Sequence, residues 1–134
     1  MPEACPTVTV PVPLGSRVLV VSDLLLEAEP TASSAALALD LADELELWEG
    51  VGSVVVAGNL FHESCNGTEA MARALAAHPK LVDGLASFSA GPGRRVLVIP
   101  GWRDPEVGSG LAEVAALAAV ELAGSVVLEA ETAT

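Results

Sequence analysis

Arg17-Val-Leu-Val-Val-Ser-Asp-Leu-Leu-Leu26 is an aliphatic run, rich in valine, that the polar pair Ser22 and Asp23 interrupts. Apolar residues at consecutive positions are typical of a strand buried on both faces, and such strands occur in parallel sheets. Similar runs occupy residues 53–57 and 94–99. The sequence therefore predicts a parallel sheet that contains these three segments.

Helical segments separate the predicted strands. Between residues 31 and 48, apolar side chains recur at helical spacing at Leu37, Leu41, Leu45 and Trp48. Further helices are expected over residues 66–79, 80–88 and 110–122, and a fourth strand over residues 124–128. Strands that alternate with helices indicate right-handed βαβ units. The predicted fold class is α/β, with a mainly parallel, four-stranded sheet flanked by helices.

The length of 134 residues fits one domain. Residues 1–16 carry Pro2, Pro6, Pro11, Pro13 and Gly15. This spacing is too dense for a central strand, because proline lacks the N–H group that a strand ladder needs. We expect an extended lead-in over residues 1–16 and an α/β domain over residues 17–134.

Acidic residues dominate the charge, since 18 Asp and Glu against 6 Lys and Arg give a net charge of −12. Lys and Arg carry most of the affinity for phosphate backbones and anionic lipids, so we expect no nucleic-acid binding and no membrane contact. Cys5 and Cys65 are too few for a disulfide framework or a four-cysteine zinc site. With no leader-like pattern and no apolar run of about 18 residues, a reduced, cytoplasmic protein is expected.

Three loops follow the predicted strands, and each carries polar residues. Asp23 follows the first strand, Asn59 the second, and Trp102-Arg103-Asp104 the third. The carboxyl ends of parallel strands lie at one edge of the sheet, where ligands of open α/β folds bind. We therefore expect the three loops to meet.

Val20-Val-Ser-Asp-Leu-Leu-Leu26, Val56-Ala-Gly-Asn-Leu-Phe61 and Ile99-Pro-Gly-Trp-Arg-Asp104 resemble, in this order, three motifs of the calcineurin-like metallophosphoesterases. They are most similar to the branch that includes the UDP-2,3-diacylglucosamine hydrolases. That family has Asp-x-His after its first strand, Gly-Asp after its second, and Gly-Asn-His-Asp or Gly-Asn-His-Glu after its third. The resemblance implies the N-terminal half of the family's αββα sandwich, and hence the front part of a longer protein.

The motif positions of this chain mostly lack the family's metal ligands. Asp23 matches the first metal-binding Asp, and Asp104 closes the third motif as in the family. The other positions differ: Leu25 replaces the family's His, Asn59 the bridging Asp, Trp102 the second-metal Asn, and Arg103 the catalytic His. The resemblance therefore implies a degenerate site.

Electrostatics explains why these replacements matter. Two divalent cations about 3.5–4 Å apart repel each other by about 15–20 kcal/mol, so an anionic ligand is needed between them. Asn59 is neutral, Leu25 offers no lone pair, and Arg103 adds a fixed positive charge. We expect no bound metal, no cofactor and no catalytic residue.

The expected function is that of a structural or protein-interaction module, with a protein partner or self-association. Two alternatives stay open. One is a metal-dependent phosphoester hydrolase that a C-terminal half or a partner completes. The other is a small nucleotide- or phosphate-binding domain that uses the loop amides.

Several loop residues have more than one interpretation. Asp23 and Asn59 are either ligands or turn residues that bond to nearby backbone. His62 is either solvated or a metal ligand. Trp102 either fills the space that the metals would occupy, with Arg103 paired to Asp23 or Asp104, or anchors a partner.

Overall fold

The computed structural model describes residues 6–131, which form a small α/β sandwich. In chain order its elements are β1 (Thr7–Val12), β2 (Arg17–Val21), α1 (Ala32–Glu46), β3 (Gly52–Ala57), α2 (Thr68–Ala76), α3 (Pro79–Ala90), β4 (Arg94–Ile99), α4 (Val107–Ala112), β5 (Glu121–Leu122) and β6 (Ser125–Ala130). A 3-10 turn over Ala115–Leu117 separates α4 from β5.

The main sheet has the strand order β2-β3-β4-β5, and every neighbouring pair is parallel. The predicted α/β class is therefore confirmed. Right-handed crossovers between strands in sequential order place all the connecting helices on one face of the sheet. Val54 and Val96 belong to the core that the helices cover, whereas Val55 and Leu97 pack on the opposite face.

Helix α1 begins at a capping box. The Oγ1 atom of Thr31 accepts a hydrogen bond from the backbone N–H of Ser34, and the Ser34 hydroxyl accepts one from the backbone N–H of Thr31. Leu41 and Leu45 are buried as expected, but Leu37 is exposed. The apolar stripe of α1 is therefore narrower than its sequence pattern indicates.

A second, two-stranded sheet covers the face of the main sheet that the helices leave free. It consists of β1 and β6, which are parallel. Residues 7–12 of the predicted lead-in are thus a paired strand, because Val10 is buried against Val55 and Leu97 in spite of Pro11. The predicted strand at 124–128 forms as β6, but it belongs to this second sheet.

The predicted helix over residues 110–122 is wrong, because the segment divides into the end of α4, the 3-10 turn and β5. A Cβ atom added to Gly110 would lie 2.6 Å from the Cβ atom of Met71, so a glycine is needed where α4 approaches α2. Further on, Glu121 pairs with Leu97 in the ladder of β4. The Arg95 guanidinium also binds both carboxylate oxygens of Glu121, and this contact lowers the pKa of Glu121. Tertiary pairing thus overrides a helical composition.

Candidate functional site

The loops after β2 and β3 are joined by backbone hydrogen bonds that extend the sheet. The N–H of Asp23 donates to the carbonyl of Gly58 at 3.2 Å, and the N–H of Leu25 donates to the carbonyl of Asn59 at 3.2 Å. A bridge between Leu26 and Phe61 continues the pairing. The expected convergence of these two loops is confirmed by these contacts.

The Asp104 carboxylate connects the third loop to the second. Its side chain is buried, with 1% of the residue exposed. Oδ1 accepts hydrogen bonds from the backbone N–H groups of Gly101 at 2.8 Å and Asn59 at 3.2 Å. Oδ2 accepts one from the N–H of Phe61 at 3.0 Å. Because the acceptor is charged, these bonds are stronger than neutral ones.

The Asn59 side chain contacts both of the other loops. Its Nδ2 atom donates to Oδ1 of Asp23 at 2.8 Å, and its Oδ1 atom accepts from the backbone N–H of Arg103 at 3.1 Å. The amide offers a donor on one side and an acceptor on the other, whereas an ionised carboxylate at this position would have no donor. A Cβ atom at position 101 would collide with Asn59, so Gly101 leaves room for this side chain.

Backbone strain is concentrated in the same loops. Within residues 6–131, the non-glycine residues with positive φ are Asp23 at 56°, Leu25 at 50° and Asn59 at 54°. The left-handed conformation costs most residues with a side chain about 1–2 kcal/mol, but Asp and Asn adopt it more readily, so Leu25 is the clearest case of strain. Such strain persists where surrounding contacts fix the backbone, and it is frequent at functional sites.

Trp102 does not fill a cavity, because 74% of its surface is exposed. The Arg103 guanidinium lies 4.5 Å from the centroid of the Trp102 ring, and its Nη1 atom lies 3.5 Å from Oε1 of Glu63. The predicted ion pair of Arg103 with Asp23 or Asp104 is therefore wrong. The physical reason is that backbone amides already surround the Asp104 carboxylate, and Asn59 binds that of Asp23.

His62 contacts residues of the loops after β2 and β3. Its Nδ1 atom accepts a hydrogen bond from the backbone N–H of Ser64 at 3.0 Å and lies 3.8 Å from Oε2 of Glu27. Across the part of the chain that the structure describes, no three His, Cys, Asp or Glu side chains are grouped as metal ligands would be.

Two features near the site were not apparent from the sequence. Cys65 is buried, and its thiol donates to the carbonyl of Leu26 at 3.2 Å. Burial raises the pKa of this thiol. Glu63 was not expected as the partner of Arg103, and no sequence pattern indicates which of the acidic residues an arginine contacts.

Comparisons with protein-family models, with curated proteins and with solved structures found no match for this chain. The relationship to the metallophosphoesterases therefore stays a prediction from the three loop motifs. No helix within residues 6–131 is long and apolar enough to span a membrane.

Proposed function

We propose that this chain is a catalytically degenerate, metallophosphoesterase-like domain that acts as a protein-interaction module. The observation that carries the proposal is the position of the Asn59 amide. It bridges the Asp23 carboxylate and the backbone of Arg103, at the position where the resembled family has a metal-bridging carboxylate. Hydrogen bonds within the protein thus replace metal coordination in holding the loops.

The charges of the site support a non-catalytic role. The buried Asp104 carboxylate accepts three backbone hydrogen bonds, which leaves little of its coordination capacity for a cation. Asn59 carries no charge, and its side-chain oxygen already accepts a hydrogen bond from the backbone N–H of Arg103. The Arg103 guanidinium, which lies near Glu63, adds a positive charge to the third loop. A pair of divalent cations would therefore find no anionic bridge here.

Trp102 supports the interaction role. An exposed tryptophan stacked on an arginine combines the two residue types most enriched among interface hot spots. The contacts of Arg103 with both Trp102 and Glu63 restrict the orientation of the pair. The partner would thus bind a partly preorganised surface, at a lower entropic cost. Because two cysteines are too few for a disulfide framework, we place this module in the reducing cytoplasm.

Site-specific photocrosslinking tests this role. A photoreactive phenylalanine analogue at position 102 should give a reproducible adduct with a protein, either a partner or a second copy of the chain. The matched control places the same analogue at Leu47, which is 79% exposed at the C-terminal end of α1, whereas the loop after β2 leads into the opposite end of that helix. Adducts that are equal at both positions, or absent from position 102, would contradict an interaction surface at Trp102.

A further inference from the structure

Strand β6 has one edge that pairs with no other strand among residues 6–131. Within residues 6–131 it pairs with β1 alone. The N–H of Glu131 donates to the carbonyl of Val12 at 2.9 Å. Because residues of a parallel ladder alternate in the direction of their backbone groups, Val127 and Glu129 also direct theirs toward β1. The N–H and carbonyl groups of Val126, Leu128 and Ala130 consequently face away from β1.

The sequence of β6 lacks the proline and lysine residues that most often protect an edge strand. Natural edge strands are commonly protected by proline or by lysine. β1 has such protection, since Pro11 alternates with the residues that bond to β6 and lies on the outer edge. The segment Ser125–Ala130 contains neither residue type. Of the two edges of the small sheet, the β6 edge is therefore the one able to accept a further strand.

Both faces of β6 present apolar side chains beside this edge. Leu128 lies opposite Val10 in the ladder, so it faces the main sheet, and yet 43% of it is exposed. Val127 lies on the outer face and is 50% exposed. A strand added next to β6 would cover apolar surface on both sides.

The charge around the β6 edge indicates which kind of strand could bind there. Glu129 is exposed and shares the outer face with Val127, and the chain carries a net charge of −12. No Lys or Arg occurs in β1 or β6. A second copy would bring acidic residues against acidic residues, whereas basic side chains on the outer face of a foreign strand would be attracted.

We propose that the β6 edge binds an extended segment of a basic partner protein by strand addition. The segment would alternate apolar residues, directed toward the main sheet, with Lys or Arg on the outer face near Glu129. Backbone hydrogen bonds supply affinity in this mode of recognition, and alternate side chains supply specificity. The proposal deepens the interaction-module function and rests on it, but it uses a surface that does not include Trp102.

Peptide titration against the whole chain tests the proposal. The probe is a fluorescent peptide of alternating Lys and Val, measured by anisotropy, with an alternating Glu and Val peptide as its control. Leu128→Pro removes an outward N–H while leaving the ladder with β1 in place, and it should weaken binding about tenfold or more. Thr9→Pro makes the same change at the opposite edge, on β1, and should alter binding less than about twofold.

A further variant tests the proposal even if the proline variants do not fold. Glu129→Lys changes only an exposed side chain, and it should weaken the Lys-Val peptide and strengthen the Glu-Val peptide. Equal binding of both peptides, or unchanged binding to folded Leu128→Pro, would overturn the proposal. So would a dimer of the native chain that Leu128→Pro dissociates, because a second copy would then occupy the edge. Trp102→Ala should leave peptide binding to the β6 edge unchanged. The β6-edge proposal can therefore be refuted independently of the proposed interaction surface at Trp102.

Discussion

Asp104→Ala should be among the most destabilising substitutions in this chain. The variant removes one buried carboxylate and leaves the N–H groups of Asn59, Phe61 and Gly101 without their acceptor. Because Asp104 is only 1% exposed, water cannot replace the lost acceptor without opening the loops. The change therefore acts on the junction of the second and third loops.

The expected loss in the free energy of unfolding follows from the number of hydrogen bonds that the variant removes. A hydrogen bond to a charged acceptor contributes about 1.5–3 kcal/mol, and an unsatisfied buried donor costs about 1–3 kcal/mol. With three donors affected, and some relaxation of the loops, we expect Asp104→Ala to lower the free energy of unfolding by about 3–5 kcal/mol. Asp104→Asn keeps one acceptor oxygen but places an NH₂ group near one of the donors, so about 2–3 kcal/mol is expected.

Urea denaturation at neutral pH, followed by circular dichroism, measures these losses. Asp83→Ala is the matched control, because Asp83 is exposed in α3 and its removal should change stability by less than about 0.5 kcal/mol. A loss below about 1 kcal/mol for Asp104→Ala would refute the reasoning, since the carboxylate would then not hold the loops together.

Three further predictions concern other residues. Arg103→Ala should cost less than about 1 kcal/mol by the same denaturation assay, because its contacts with Glu63 and Trp102 are partly exposed; a loss of about 3 kcal/mol or more would indicate a buried pair. Burial lowers the pKa of His78, whose Nε2 atom has no hydrogen-bond partner among residues 6–131. Its contribution to stability is therefore present above the ordinary pKa of 6.5 and is lost as the pH falls below that value. His78→Gln should flatten that part of the stability profile, and an unchanged slope would contradict this assignment. Leu25→His combined with Asn59→Asp should not produce phosphodiesterase activity on a chromogenic diester, and turnover well above that of the parent chain would disprove it.

The central strands could be predicted because runs of consecutive apolar residues indicate strands that are buried on both faces. Val54, Val55 and Val56 are all nearly inaccessible, and this one segment contributes to the cores on both faces of the sheet. β1 was not predicted as a paired strand, because prolines suggest a loop and only tertiary contact with β6 shows that Pro11 lies on an edge. β5 is two residues long, too short for any periodicity to reveal.

The position of the site could be predicted from the sequence, but the contacts between its side chains could not. Strand order and loop position are sufficient to bring Asp23, Asn59 and Asp104 to one edge of the sheet, where hydrogen bonds join them. Which partner each charged group takes depends on distances of a few ångströms. Backbone N–H groups, and not the Arg103 guanidinium, bind the Asp104 carboxylate. An N–H group of the loop backbone can approach a buried oxygen without the desolvation cost of burying a second charge.

Elemental analysis of the chain, purified without chelator and then dialysed against Mn²⁺, tests the central claim most directly. If the hydrogen bond that the Asn59 amide donates and those that the Asp104 carboxylate accepts hold the loops in place of metals, the protein should retain substoichiometric Mn²⁺, Zn²⁺ and Fe. Asn59→Asp, which restores a carboxylate at the bridging position, should also stay substoichiometric, because Leu25 and Arg103 still supply no ligand. Reproducible retention of about two metal ions per native chain would contradict the account.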